Sequence, residues 1–358
     1  MAVGASRWSR DVLRSIPFVA IAGVAVVDIL AGPRLGFLPL LTLGPTFASV
    51  SGSVRRTAAV GLLAAAVCLP LAHYNGLLGR AQNYLTIATI VAVTAASMLA
   101  SHLRIKRERE LANVRTIAEA AQRVLLRPVP RRAGDLKIAL SYTSAAADAQ
   151  IGGDLYEVVV TTDNGVRLLI GDVQGKGLAA VETAAWVLGA FREAAYDARD
   201  LSALGERLET SLTRHLDAEQ FVTAILAEVR EDEITLLSFG HPAPLLLTAD
   251  GIREVVLPQE GLPLGLSGLG PAWPEPCRVP FGKGDQILFY TDGVIEARDT
   301  GGAFYPLLDR ADLLQSLDLL QNLDPQTALD DLRADLLGHV GGPLPDDAAM
   351  LLLQRQPA

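Results

Sequence analysis

Cysteine is nearly missing from this chain of 358 residues: only Cys68, inside an apolar run, and Cys277, in a proline-rich loop, are present, alongside five histidines. That excludes a disulfide framework and a cysteine-based metal cage. Aromatic residues make up only 5% of the chain and methionines number three. Acidic residues are almost absent from positions 1–103, which carry Asp11 and Asp28 against seven arginines. The deficit reverses later, since positions 133–358 hold 15 basic and 35 acidic residues. A field of that sign excludes nucleic-acid binding through general electrostatics.

What the chain has in excess is apolar sequence, with hydrophobic residues at 50% and a mean hydropathy of +0.30. Four apolar runs, Ile16–Leu30, Leu35–Val50, Thr57–His73 and Tyr84–Leu103, precede the first dense cluster of charge. A bilayer core needs roughly 20 helical residues, which the last run supplies and the others reach with their flanks. A cleaved leader would account for the first run alone. The expectation is a transmembrane domain of about four helices over 1–103. Arg7, Arg10 and Arg14 precede the first helix, Arg55 and Arg56 separate the second from the third, and Arg104, Lys106, Arg107 and Arg109 follow the fourth. With an even number of crossings these clusters share one side, the cytoplasmic one. The expected location is the plasma membrane, with the rest of the chain in the cytoplasm.

From Arg104 the text RIKRERELANVRTIAEAAQRVLLRPVP has a helical pattern ended by Pro128 and Pro130. This defines a helical linker over 104–130. Leu111, Val114, Ala118, Ala121 and Leu125 follow alternating steps of three and four. Two readings stand: a short coiled coil that would make a homodimer, or an amphipathic helix lying on the next domain.

The remaining domain, 131–358, offers strand candidates in LKIALSYTSA, YEVVVTT, VRLLIGDV, FVTAILAEV, EITLLSFG, PLLLTAD, DQILFYTDG and AAMLLLQR. Helical patterns cover Leu178–Tyr196, Leu201–Leu216 and Leu329–Leu337. Strands in runs with helices grouped between them predict an α+β layered domain.

The stretch LLIGDVQGKGLAAVE, Leu168–Glu182, looks like a phosphate cradle but is one residue short of a P-loop and lacks its hydroxyl. No dinucleotide fingerprint fits either. What remains is Asp172 at the end of an apolar strand, before glycines that let the backbone turn. The pattern recurs: Asp154 follows Gly152-Gly153 and opens a strand, Asp292 ends an apolar strand before Gly293, and Asp346 and Asp347 begin one. Any single Asp-Gly is most simply a surface turn, but four such motifs abut apolar strands. Clustered carboxylates without His or Cys favour Mg²⁺ or Mn²⁺. Two such ions suit hydrolysis of a phosphoester by an activated water. His241, in SFGHPAP, reads as a structural histidine in a turn in preference to a general acid.

The motifs QRVLLRPVP, GGDLYE, GDVQGKGLAA, FVTAILAEV, SFGHPAPLLL, GLPLGL, LFYTDGVIEA and PDDAAMLLL, in this order, resemble the metal-dependent, protein phosphatase 2C-like family in its bacterial SpoIIE branch. The resemblance spans roughly Leu125–Arg355. It implies a central β-sandwich flanked by helices, with two Mn²⁺ or Mg²⁺ ions at one edge. It makes Asp172 the bridging carboxylate with the Val173 carbonyl beside it, and Asp154, Asp292 and Asp346 the remaining metal ligands. Asp347, Gly153 and Gly293 would support them from behind. The implied activity is a membrane-anchored serine/threonine phosphatase acting on a phosphorylated regulatory protein, an anti-sigma factor antagonist. The alternative is a silent membrane sensor using the same domain as a binding module. Glu157 stands where this branch commonly has Asp, Ala349 where many relatives have Thr, and Lys176 where His is also common.

Overall fold

A computed structural model describes residues 2–32, 37–144, 152–161, 165–215, 220–270, 273–311, 314 and 324–356. Leu35 and the expected strand or helix ends at Ala145, Thr162 and Leu216 lie outside them. Contacts divide the chain into two units, 1–113 and 114–358.

In the first unit α1 (Ala2–Ala31) is followed by a 3₁₀ turn (Leu38–Thr42), α2 (Leu43–Ser51), α3 (Val54–Tyr74) and the start of α4 (Ala81–Leu125). Among the described residues three helices, within α1, α3 and α4, are long and apolar enough to cross a membrane. The second apolar run is shorter than the expected spanning helix: its helical part, Leu38–Ser51, reaches only about 24 Å at standard rises. It still returns the chain along the bundle. Arg56 donates to the Arg14 carbonyl, Arg104 Nη2 to the Gly52 carbonyl at 2.7 Å, and Ser101 lies 3.1 Å from Thr57. Arg14, Arg56 and Arg104 are therefore gathered at one end of the bundle. At the other, buried Asp28 accepts from Asn75 Nδ2 at 2.7 Å. Small residues let the helices approach: a Cβ on Gly61 would meet Thr94 at 2.2 Å, and one on Gly44 would meet Ile21 at 2.6 Å.

The fourth apolar run and the linker pattern form one helix, α4, that ends at Leu125 before Pro128. Within the second unit, the expected seam residues Ala118, Ala121 and Leu125 pack with Val181 of α5 (Leu178–Asp197). Leu111 and Val114 are exposed. Of the two readings of this stretch, the C-terminal half has the geometry of the amphipathic helix on its own domain.

The second unit is built from two antiparallel sheets. One has the order β1-β2-β11-β10-β7-β8, from Arg132–Ala133, Leu136–Thr143, Ala348–Arg355, Gln286–Tyr290, Leu245–Thr248 and Gly251–Glu254. The other has β3-β4-β5-β6-β9, from Asp154–Val160, Val166–Val173, Val222–Arg230, Glu233–Phe239 and Cys277–Pro280. Strand β11 is buried along its whole length. The period of two explains why. Ala349, Leu351 and Leu353 enter the core between the sheets, while Ala348, Met350 and Leu352 enter a second core with α9 (Pro325–Val340). Helices α5 and α6 (Leu201–Leu212) cover the outer face of the other sheet, so the expected helix-flanked β-sandwich is present. Among the described residues, α7 (Asp292–Ile295) and α8 (Leu307–Arg310) are single turns. Strands β1, β8 and β9 were not legible in the sequence: they are two to four residues long and carry no clear alternation.

Candidate metal centre

The aspartates meet because two sheet edges coincide. Asp154, the first residue of β3, is the cross-strand partner of Asp172, near the end of β4. In the other sheet Tyr290 pairs with Met350, which places the end of β10, hence Asp292, beside the start of β11, hence Asp346 and Asp347. Thr291 joins the edges: its hydroxyl donates to Asp154 Oδ2 at 2.8 Å and accepts from the Ala349 amide at 3.0 Å.

The glycines permit this crowding. A Cβ on Gly153 would stand 2.3 Å from the Val173 carbonyl oxygen and 2.7 Å from Asp172 Oδ1. One on Gly293 would stand 1.8 Å from the Asp347 carbonyl oxygen, and one on Gly152 would meet the Asp347 carboxyl at 2.5 Å. The loop after β4 turns through Gly175 and Gly177, at φ 97° and 84°, a region that favours glycine. Between them Lys176 projects to Asp346, Nζ to Oδ2 at 2.7 Å.

The electrostatics follow from burial and like charge. Asp172 is pushed up to about 7, first by burial and then by Asp292, Asp346 and Asp347. Asp154 is held well above the carboxylate range by burial and then by Asp172. Asp292 is raised by burial, then by Glu296 and Asp346. The Lys176 ammonium is raised, chiefly by its bond to Asp346. Such a cluster favours bound protons or cations.

The residues fit a hard divalent cation. All the side chains offer oxygen, a backbone carbonyl is pressed beside Asp172, and the carboxylates lie within one another's field. Among the described residues no three His, Cys, Asp or Glu side chains close around one point.

Three supporting residues escaped the sequence reading. Thr291 is one. Tyr142 of β2 is another: its hydroxyl donates to Asp347 Oδ2, and burial followed by the Asp347 charge raises its phenol. The third, Gln122 of α4, donates to Tyr142 Oη at 2.8 Å. The TDG triplet was the available signal for Thr291, while the other two roles arise from strand and helix packing. His241 is buried, bonded through Nδ1 to Thr223 Oγ1 at 3.1 Å and depressed to about 3 by burial. It stays neutral, in keeping with a structural role. Glu157 pairs with Arg192, whose Nη2 also caps the α4 carbonyl of Leu125 at 2.6 Å.

A two-sheet antiparallel sandwich with carboxylates at coincident strand ends defines the PP2C-like class of metal-dependent phosphatases. The family model described as "Stage II sporulation protein E (SpoIIE)" matches residues 162–356, and the chain belongs to that family. Among curated relatives, phosphoserine phosphatase RsbU of Bacillus subtilis is 26% identical over 209 residues, which is 58% of this chain and 60% of that protein. The chain thus spans less than two thirds of that relative's length. The solved RsbU and RsbW domains of a Mycobacterium tuberculosis protein are 28% identical, with a TM-score of 0.51 over 62% of this chain and 61% of that one. The SiaA-PP2C domain of Pseudomonas aeruginosa shares the fold, with a TM-score of 0.57 at 18% identity over 69% of this chain and 98% of its own.

Proposed function

We propose that this chain is a membrane-anchored protein serine/threonine phosphatase that removes phosphate from phosphoserine or phosphothreonine on a cytoplasmic regulatory protein, of the kind that antagonises an anti-sigma factor. The observation that carries the reading is the convergence of Asp154, Asp172, Asp292 and Asp346 from two sheet edges joined by Thr291. These four carboxylates and the Val173 carbonyl would hold two Mn²⁺ or Mg²⁺ ions. When bound, the ions supply an activated water and offset the charge of the phosphate. Asp154 and Asp172, both raised above the ordinary carboxylate range, would hold the ions as carboxylates, with the Thr291 hydroxyl orienting Asp154. Gly153 keeps the approach to Asp172 clear of side chain. An open cleft of about 440 Å³, lined by Gly293, Glu296, Arg298, Val340, Pro345 and Asp346, adjoins the site and would admit an extended phosphorylated segment.

The apolar helices support an anchor in the plasma membrane, and the gathering of Arg14, Arg56 and Arg104 at one end of the bundle supports a cytoplasmic catalytic domain. The substrate class is inferred from the family resemblance and from the name of the RsbU relative. Phosphate release from phosphoserine, phosphothreonine and phosphotyrosine peptides, by the full chain in detergent with Mn²⁺, Mg²⁺ or chelator, tests the reading. Metal-dependent release from the first two supports it. A folded protein silent in every metal would favour the binding-module alternative.

A further inference from the structure

The helix that leaves the apolar segment ends in the support of the metal centre. Gln122, in the last turn of α4, is buried, and its amide donates both to Tyr142 Oη at 2.8 Å and to the Gly152 carbonyl at 3.3 Å. Tyr142 in turn donates to Asp347 Oδ2, while Ser144 reaches the other carboxylate oxygen, Oδ1, at 3.4 Å. Asp347 is itself buried, and its amide bonds Asp346 Oδ1 at 2.9 Å. Its carbonyl occupies the space that a side chain on Gly293 would need, next to Asp292. One amide group on α4 therefore bears on both halves of the site. Through Tyr142 and Asp347 it fixes the Asp346 and Asp292 edge. Through Gly152 it fixes the loop that presents Gly153 and Asp154 to Asp172.

We infer that Tyr142 and Gln122 are positioning residues of the metal centre, so that the seating of the last turn of α4 on the sandwich sets how tightly the centre binds divalent metal. This rests on the phosphatase reading of the site. A buried carboxylate with a free rotamer would turn toward whichever partner it finds. Two donors from β2 and its flank hold Asp347 in one orientation, and Gln122 holds the phenol that supplies one of them. Outer partners of metal ligands govern affinity because they restrict the ligands before the ion arrives. The packing of Ala118, Ala121 and Leu125 on Val181 brings Gln122 to this position.

The test is Mn²⁺ titration of the full chain in detergent, followed by electron paramagnetic resonance, with the metal-free melting temperature and the kcat and KM for a phosphoserine peptide measured on the same samples. Tyr142→Phe removes only the hydroxyl and should weaken Mn²⁺ binding by about 10-fold or more, with the metal-free melting temperature near wild type. At limiting Mn²⁺ its kcat should fall while KM stays constant. Gln122→Met should act in the same direction, and the double variant should lose less than the product of the two single fold-losses, because Gln122 acts partly through Tyr142 and partly through Gly152. Wild-type Mn²⁺ affinity in a folded Tyr142→Phe protein would overturn the inference. If Tyr142→Phe does not fold, unchanged affinity in Gln122→Met overturns it equally. Asp172→Asn separates this from the underlying reading: if that variant binds Mn²⁺ as wild type does, the metal-centre assignment is wrong and the inference falls with it.

Discussion

Thr291, the residue just before Asp292, donates its hydroxyl to Asp154 across the gap between the two sheets, at 2.8 Å. The same oxygen accepts from the Ala349 amide, so one side chain ties β3, β10 and β11 together at the proposed metal centre. Thr291→Val keeps the shape and removes both bonds. Mn²⁺ affinity should fall by about 10-fold or more, with Thr291→Ser close to wild type. Calorimetric titration with Mn²⁺ reads the difference.

The glycines give a second prediction, one that separates the site from the scaffold. Gly153→Ala would drive a methyl against Asp172 and the Val173 carbonyl. Metal binding should be lost while most of the fold survives. Gly293→Ala would press on the backbone of Asp347, which belongs to the entry of the fully buried β11. There the melting temperature should fall as well. Circular dichroism melts beside metal titrations distinguish the two.

The pH dependence of stability follows from Asp172, raised to about 7 in the metal-free fold against 3.8 for a free carboxyl. The folded state holds a proton that the unfolded chain releases. This contribution is fully present below about pH 4 and is lost as pH rises through about 7. Asp154, raised for the same reasons, acts with the same sign. In chelator, the melting temperature should decline between pH 4 and 8, and Asp172→Asn should flatten the decline. A metal-free protein that becomes steadily more stable over that range would contradict these electrostatics.

Away from the site, Arg167 and Glu228 are cross-strand partners on β4 and β5, buried and bonded at 2.7 Å, with Arg167 also donating to the Ala195 carbonyl. Breaking such a pair leaves a buried charge and typically costs about 3–5 kcal/mol. Arg167→Ala should fall at the lower end, because Arg230 still contacts Glu228 at 2.9 Å. Arg167→Met with Glu228→Leu should recover most of the loss in denaturant unfolding.

Much of this was legible in the sequence. The apolar strands β4, β5, β6 and β11 announced themselves by composition, and the aspartates at the ends of β3, β4, β10 and β11 marked the sheet edges where the proposed metal centre lies. The linker offered two readings on the same spacing, because a seam facing another copy and a seam facing α5 use the same residues. Thr291, Tyr142 and Gln122 could not be ranked from sequence, since their partners lie 137, 205 and 20 residues away and meet them only through sheet pairing and helix docking. In the second apolar run composition alone does not reveal that Leu38–Thr42 tightens into a 3₁₀ turn before the nine residues of α2.

The most direct test of the central claim is phosphate release from a phosphoserine peptide by the full chain in detergent, with Mn²⁺ added back after chelation, beside Asp172→Asn. Release that rises with Mn²⁺ and is abolished in the variant is the predicted result. Release that persists in chelator, or in Asp172→Asn, would contradict catalysis at this carboxylate centre.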